Sequence, residues 1–460
     1  MNVLYITLLL LFIENALCNG GPGLLAVVDR YNSESDMNKE FALHEPQQMV
    51  SSWVSDGGAF KVQFTTTENI KKANLIYWST DEGDAVIVEP LKNWEFIDSG
   101  EKKRSQYMHS FITQPLLTST VYHYKVETTD ENDIVYASNV HQIHTPSDDN
   151  TFKFIAAGDI GISNAVSMPL LKELASTHEY DFVTIMGDQG YDLSDFDGVK
   201  GDQFMNFAQD LYANLPVLAT PGNHDDAYNA SHFKNRFSIM PNEESGWSDS
   251  TCFSFNYKSL HLVSFSTELF FDEDLYLEDA LNWLETDLAK ASQERSERPW
   301  IIVFGHRPLY CTIEFDSDCT EKAELIRYGP YGDRGLETIL SKYNVDMYMS
   351  GHKHNYERTY PLKDSIAMSA SYHNPPSFLQ VITGNAGNHE GPDSFEESGL
   401  PSWLGHRYEG YGFTSLQVSP QFLDIQHIET NVDGTIGGVI DQVRLSKSTS
   451  HVNKQKIVNQ

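Results

Sequence analysis

The chain has 460 residues, 40% of them apolar and 12% aromatic, and a formal charge of −33 at pH 7. That size and apolar content provide for two or three domains with cores and exclude a disordered or low-complexity chain. The acidic excess excludes a surface built to hold DNA, RNA or anionic lipid at neutral pH. It suits solubility, or work in an acidic compartment where carboxylate protonation relieves self-repulsion.

Residues 1–18 read as a signal peptide. Val3 to Ile13 is apolar apart from Tyr5 and Thr7, too short to span a bilayer, and followed by small residues at Ala16 and Cys18. No Lys or Arg precedes it. Residues 19–44 show no period and read as a lead-in segment. No later stretch is long and apolar enough for a membrane helix, and the polar tail 446–460 carries no lipid-anchor signal. The expectation is a secreted or lumenal protein of the secretory pathway, the lysosome included, with no membrane anchor.

From Glu45 the pattern alternates. Phe60 to Phe64, Ala73 to Trp78, Tyr107 to Ile112, Val121 to Val126 and Val140 to Ile143 read as short strands between polar turns. Such spacing predicts a β-sandwich of about a hundred residues, here 45–147. Its histidines (His109, His123, His141, His144) are scattered and read as structural. The polar run Thr145 to Asn150 reads as a linker.

Residues 150–445 then alternate strands with helices. Strands are predicted at Phe152 to Ala157, Phe182 to Met186, Pro216 to Thr220, Trp300 to Phe304 and Val345 to Ser350. Helical spacing runs through Val166 to Leu174, Gln203 to Leu211, Leu277 to Leu288 and Gly335 to Tyr343. Later strands at Phe378 to Thr383, Gly412 to Val418 and Phe422 to His427 look antiparallel. The expected architecture is an α/β domain of mixed sheets packed face to face, with helices outside.

Each of the first five strands ends in a glycine-led motif: Gly158-Asp159, Gly187-Asp188-Gln189-Gly190-Tyr191, Gly222-Asn223-His224-Asp225, Gly305-His306 and Gly351-His352-Lys353-His354. Glycine lets the backbone turn closely at a strand end, where α/β folds place ligand sites. Asp159, Asp188 and Tyr191 offer hard anionic oxygens, Asn223 a carbonyl oxygen, and His306, His352 and His354 imidazole nitrogens. A carboxylate can bridge two ions, so the set suits an asymmetric pair: trivalent iron on the oxygen-rich side, and zinc, manganese or divalent iron on the nitrogen-rich side. Two carboxylates, a tyrosinate and one hydroxide against those ions leave about +1, which attracts phosphate.

Three cysteines follow the signal stretch. Cys311 and Cys319 permit a small disulfide ring, worth roughly 2–3 kcal/mol in the loop-entropy picture; zinc binding by the pair is the competing reading. Cys252 reads as a buried free thiol rather than an intermolecular link. Asn229-Ala230-Ser231 is a candidate glycosylation sequon.

The order of these motifs resembles the purple acid phosphatases, within the binuclear metallophosphoesterases. Gly161 stands where many superfamily members have a second His, and Tyr191 where they have Asp or Asn. The resemblance runs from about Glu45 to Leu445. Gly305-His306-Arg307-Pro308 and His354-Asn355-Tyr356-Glu357-Arg358 resemble the animal-type branch, and the first domain resembles the fibronectin-III-like domain of long-chain members. By that resemblance Asp159, Tyr191 and His354 hold ferric iron, Asn223, His306 and His352 hold the divalent ion, and Asp188 bridges them. The implied activity is an acid phosphatase acting on small phosphate monoesters, with a metal-bound hydroxide as nucleophile. His224 is the candidate to hold the phosphate or protonate the leaving group, with Asp225 orienting its ring. The implied partners are small phosphate esters and no nucleic acid. A phosphodiesterase or nucleotide pyrophosphatase on the same metals is the alternative; a non-catalytic binding glycoprotein is the remote one. The loop from Cys311 to Cys319 departs from plant-type members, which place histidines there. Its carboxylates predict weaker binding of highly charged phosphates.

Overall fold

A computed structural model describes residues 41–79, 84–272, 276–313, 315–395 and 399–448. The signal-like run, most of the lead-in and the tail beyond residue 448 lie outside the described residues. Among the described residues no helix is long and apolar enough to cross a membrane.

The N-terminal region holds β1 (Gln47–Trp53), β2 (Phe60–Thr66), β3 (Lys72–Ser79), β4 (Val86–Val88), β5 (Lys92–Ile97), β6 (Ser105–Ile112), β7 (Val121–Thr129), β8 (Val135–Ala137) and β9 (His141–His144). One sheet has the order β1-β2-β6-β5; the other has β4-β3-β7-β8, with β9 also on β7. Phe60 of the first sheet meets Tyr77 and Tyr124 of the second at 6.4 and 5.4 Å between ring centroids, so the inner faces interdigitate as a sandwich. β3 and β7 alternate buried with half-exposed residues, because only one face is covered.

β1 and β2 are buried throughout. The second region packs against them: Ser51 and Ser52 hydroxyls donate to the carbonyls of Tyr212 and Val217, and Gln63 donates to the carbonyl of Asn235. Trp53 donates its indole N–H to the Asp181 carbonyl at 2.7 Å. This explains why β1 escapes an alternation rule. Its polar residues face protein, and they satisfy the partner's backbone.

The second region builds two sheets. The first has the order β12-β11-β10-β22-β23-β24, from β10 (Phe152–Ala157), β11 (Phe182–Ile185), β12 (Val217–Ala219), β22 (Gly412–Val418), β23 (Phe422–Thr430) and β24 (Ile436–Ser446). The second has the order β13-β14-β15-β16-β20-β17-β21. Its strands are β13 (Cys252–Tyr257), β14 (Leu260–Phe265), β15 (Trp300–Phe304), β16 (Met347–Ser350), β17 (Tyr356–Thr359), β20 (Leu379–Thr383) and β21 (Leu404–Tyr408). A short hairpin, β18 (Leu362–Lys363) and β19 (Ile366–Ala367), stands apart. Both sheets mix parallel and antiparallel pairs. They pack face to face through Phe182 of β11, which meets Phe255 and Tyr257 of β13 at 5.8 and 5.3 Å.

The main helices are α1 (Met168–Ala175), α2 (Val199–Tyr212), α3 (Ala227–Arg236), α4 (Leu277–Gln293), α5 (Glu321–Tyr328) and α6 (Leu336–Lys342). The α4 stripe of Leu281, Leu284 and Leu288 is buried in a core that also takes Ile339 and Leu340 of α6. The hairpin β13–β14, the helices α3 and α5, and the edge strand β24 are additions to the elements read from the sequence. Cys252 on β13 is a free, buried thiol, and burial pushes its pKa up to about 12.

The consequence for the site is positional. β10, β11 and β12 are parallel neighbours in one sheet, and β15 and β16 are parallel neighbours in the other. All five ligand motifs therefore leave strand ends on the same side of two facing sheets.

Candidate metal centre

The motif glycines are required by close approach. A Cβ at Gly222 would lie 2.2 Å from Asp188 Oδ1, and one at Gly351 would lie 2.3 Å from Asp159 Oδ2. At Gly187 a Cβ would lie 2.6 Å from His306 Nδ1, and φ there is +86°. Asp159, Asp188, Tyr191 and His352 also sit at positive φ, between 49° and 67°. Each such turn costs on the order of 1 kcal/mol for a side-chain-bearing residue and swings the side chain off the strand end into the site.

The donors gather in two adjoining groups. In the first, His306 Nε2 lies 3.2 Å from Asp188 Oδ2, 3.1 Å from Asn223 Oδ1 and 3.1 Å from His352 Nδ1. Asp188, His306 and His352 bring ligand atoms within 4.8 Å of one another. In the second, the Tyr191 hydroxyl lies 3.0 Å from Asp159 Oδ1 and 2.9 Å from His354 Nε2. The backbone N–H of His352 donates to Asp159 Oδ2 at 2.8 Å and ties the groups together. All seven residues picked from the strand-end motifs are thus brought together.

The chemistry of this set fits cations. His306 Nδ1 lies 2.7 Å from the Met186 carbonyl, which only accepts, so its proton belongs on Nδ1 and a lone pair faces the cluster. His354 Nδ1 is anchored likewise on the Gly391 carbonyl at 3.1 Å. Lone pairs converging without a proton between them call for a positive ion. Protons alone give a strained compromise. Burial disfavours a charge on His306, but Asp188 beside it outweighs burial and pushes it up to about 10. Burial alone would raise Asp188; the His306 charge holds it below the usual carboxylate range. Burial, with Asp159 and Asp188, pushes Tyr191 well above the ordinary phenol value, so a tyrosinate forms there only if a cation replaces the proton.

His224 stands beside the set. Its ring stacks on Tyr191 at 4.4 Å and 29°, and its backbone N–H donates to Asp188 Oδ1 at 2.9 Å. The carboxylate that meets its Nδ1 is Asp192, at 2.7 Å. This corrects the expectation for Asp225. That side chain is buried and accepts from the backbone N–H groups of Gln189 and Gly222, at 3.2 and 3.0 Å. Asp225 pins the two ligand loops together and does not face His224. Burial, aided by Asp188, pushes Asp225 up to about 8. Burial opposes a charge on His224, but the Asp192 bond and the Asp188 field raise it to about 9. Asp192 was missed from the sequence, although it follows Tyr191 directly. The loop at Asn388 and His389 closes the far side: Asn388 donates to the Asp159 carbonyl at 3.2 Å, and the His389 ring meets Tyr191 edge-on at 5.6 Å.

Cys311 and Cys319 form a disulfide, with Cα atoms 5.0 Å apart. Two acidic residues of the loop, Asp316 and Asp318, have cationic partners. Asp316 Oδ2 accepts from Lys353 at 2.7 Å; Asp318 Oδ1 accepts from Arg307 at 2.9 Å and pairs with Lys322 at 3.1 Å. Burial opposes ionisation of Asp318, but its bond to His352 and the nearby cations hold it well below the usual range. Asn229 of the sequon lies exposed.

The fold and site are those of the metallophosphoesterase class. The family model of calcineurin-like phosphoesterases matches residues 152–356, and that of an iron/zinc purple acid phosphatase-like C-terminal region matches 377–441. The chain is 34% identical over 376 residues to acid phosphatase type 7 of Danio rerio, covering 76% of this chain and 80% of the relative. It is 32% identical over 402 residues to acid phosphatase type 7 of Homo sapiens, covering 85% and 89%. The fold matches a purple acid phosphatase from yellow lupin (Lupinus luteus) seeds with a TM-score of 0.74 at 19% identity, over 89% of this chain and 76% of that one. The chain belongs to the purple acid phosphatase family.

Proposed function

We propose that this family member hydrolyses small phosphate monoesters in acid on a pair of ions, Fe(III) and one divalent ion (Zn, Fe or Mn). Its class, an acid phosphatase, agrees with its family and with its type 7 relatives. The carrying observation is the convergence of seven donors with lone pairs facing inward and ring protons anchored outside. Asp159, Tyr191 and His354 would hold the ferric ion, Asn223, His306 and His352 the divalent one, and Asp188 both. Bound there, the ions would neutralise phosphate charge and ease deprotonation of the attacking water.

The protein's own groups do the rest. Buried walls around Asp159, Asp188 and His306 limit water and strengthen the field. His224, kept protonated by Asp192, is placed to donate a proton to the leaving oxygen or to a phosphate oxygen. We read the N-terminal sandwich as fibronectin-III-like, residues 45–147 as that domain and 150–445 as the catalytic one. Secretion or a lumenal site is supported by the signal-like run and by the disulfide. Exposed Asn229 is the glycosylation candidate.

The test is phosphate release from a panel of monoesters and diesters, from acid to neutral pH, by the purified, metal-loaded protein. Faster monoester turnover in acid is expected. Preference for diesters would replace the substrate class, and no turnover with both metals bound would overturn the catalytic reading.

A further inference from the structure

Each histidine of the centre has one nitrogen facing the cluster and one facing away. The outward nitrogens of His306 and His354 meet backbone carbonyls, of Met186 and Gly391. The outward nitrogen of His352 meets a side chain: Nε2 lies 3.1 Å from Asp318 Oδ2, while Nδ1 faces His306 Nε2 at 3.1 Å. Asp318 comes from the disulfide-closed loop and belongs to none of the five motifs.

A competing group makes this contact matter. Arg307 Nη1 also lies 3.1 Å from His352 Nε2. A guanidinium only donates, so on its own it would draw a lone pair to Nε2 and drive the ring proton onto Nδ1, the nitrogen facing the cluster. His352 would then present N–H where a lone pair is needed. Asp318 removes the conflict. Its Oδ2 accepts a hydrogen bond from Nε2–H, and its Oδ1 accepts one from the Arg307 N–H at 2.9 Å. Arg307 is held besides by Glu268, which accepts from Nε at 2.9 Å, and by the Phe271 ring at 4.6 Å. The carboxylate itself is fixed. Asp318 N–H donates to Asp316 Oδ1 at 2.8 Å, Asp316 is tied to Lys353, and Cys319 is locked to Cys311.

We propose that Asp318 is the positioning residue of His352: it selects the tautomer whose Nδ1 lone pair faces the cluster, and the 311–319 disulfide loop holds it in place. This rests on the two-metal reading above. The loop is thereby a support of the divalent site rather than a feature that faces substrate.

The test measures divalent-ion affinity, by chelator competition with Zn(II) as probe, in Asp318→Asn, in Asp318→Glu and in the unaltered chain. The visible iron–tyrosinate band is read in parallel. Asp318→Asn should weaken zinc binding by about 10- to 100-fold and leave the iron band in place; Asp318→Glu should recover part of that loss. Zinc affinity unchanged in Asp318→Asn would overturn the assignment. So would equal loss of iron and zinc in Asp318→Asn with Asp318→Glu no better, which would make Asp318 a general support of the fold. An unaltered chain that takes up no zinc would instead overturn the two-metal reading beneath it.

Discussion

The N-terminal sandwich and the glycine-led motifs of the second region treat histidine in opposite ways. In the sandwich, His109 has both ring nitrogens on neutral partners, Thr66 Oγ1 at 3.1 Å and Asn93 Oδ1 at 2.8 Å, and burial lowers it to about 4. His141 lies against Tyr124 at 5.6 Å, and burial lowers it also to about 4. At those motifs, His306, His352 and His354 each have the far nitrogen anchored by an acceptor and the near one turned toward other candidate ligands. Burial is common to both regions. An acceptor behind the ring is common too; what separates a structural histidine from a candidate ligand is a shared focus of lone pairs ahead. Such a focus comes from parallel strand ends, which the antiparallel sandwich lacks.

The comparison breaks most sharply at Asp188. Asp188→Ala should lose both metals and lower turnover on the order of 10³-fold or more. Metal analysis checks this; a fully loaded variant would contradict the shared-ligand role. Tyr191→Phe comes next. It should bleach the visible band and leave the protein folded, since the phenyl ring keeps the stacking on His224. Unchanged colour would rule out the ferric assignment.

Smaller changes sharpen the contrast. His224→Ala should lower turnover roughly 10²- to 10⁴-fold with metal content intact. Asp192→Asn should cost less and should move the alkaline limb of the pH–rate profile to lower pH. The sign follows from the Asp192 bond, which raises His224; without it the ring loses its proton sooner. An unmoved limb would show that another group sets it.

The last test belongs to the sandwich and reads stability instead of turnover. The folded-state pKa values of His109 and His141 are depressed below 6.5 to about 4. Between those pH values the unfolded chain takes up protons that the folded chain refuses. Stability should therefore fall as pH falls through that window, by up to about 1.4 kcal/mol per pH unit for each residue, and level off below it. Denaturation of His109→Gln should show a shallower loss from pH 6.5 to 4.5 than the unaltered chain. Parallel curves would mean that His109 has no part in it.

Much of this was legible in the residues. The ligand motifs depend on a strand, a glycine and a donor, all local, so Asp159, Asp188, Tyr191, Asn223, His306, His352 and His354 could be picked in order. The alternation of β3 and β7 marked a half-exposed sheet. β1 was not legible, because Gln47, Gln48, Ser51 and Ser52 are buried and bond to the second region.

The sequence by itself determined the identity and order of the candidate ligands, because all seven ride on the ends of five strands. Only the tertiary structure decided their neighbours: Asp192 and not Asp225 at His224, and Asp318 at His352. The reason is physical. A ligand's place follows from one strand and one turn. A neighbour's place follows from how two loops, from different parts of the chain, happen to meet across a buried space where every charge and every N–H must find a partner.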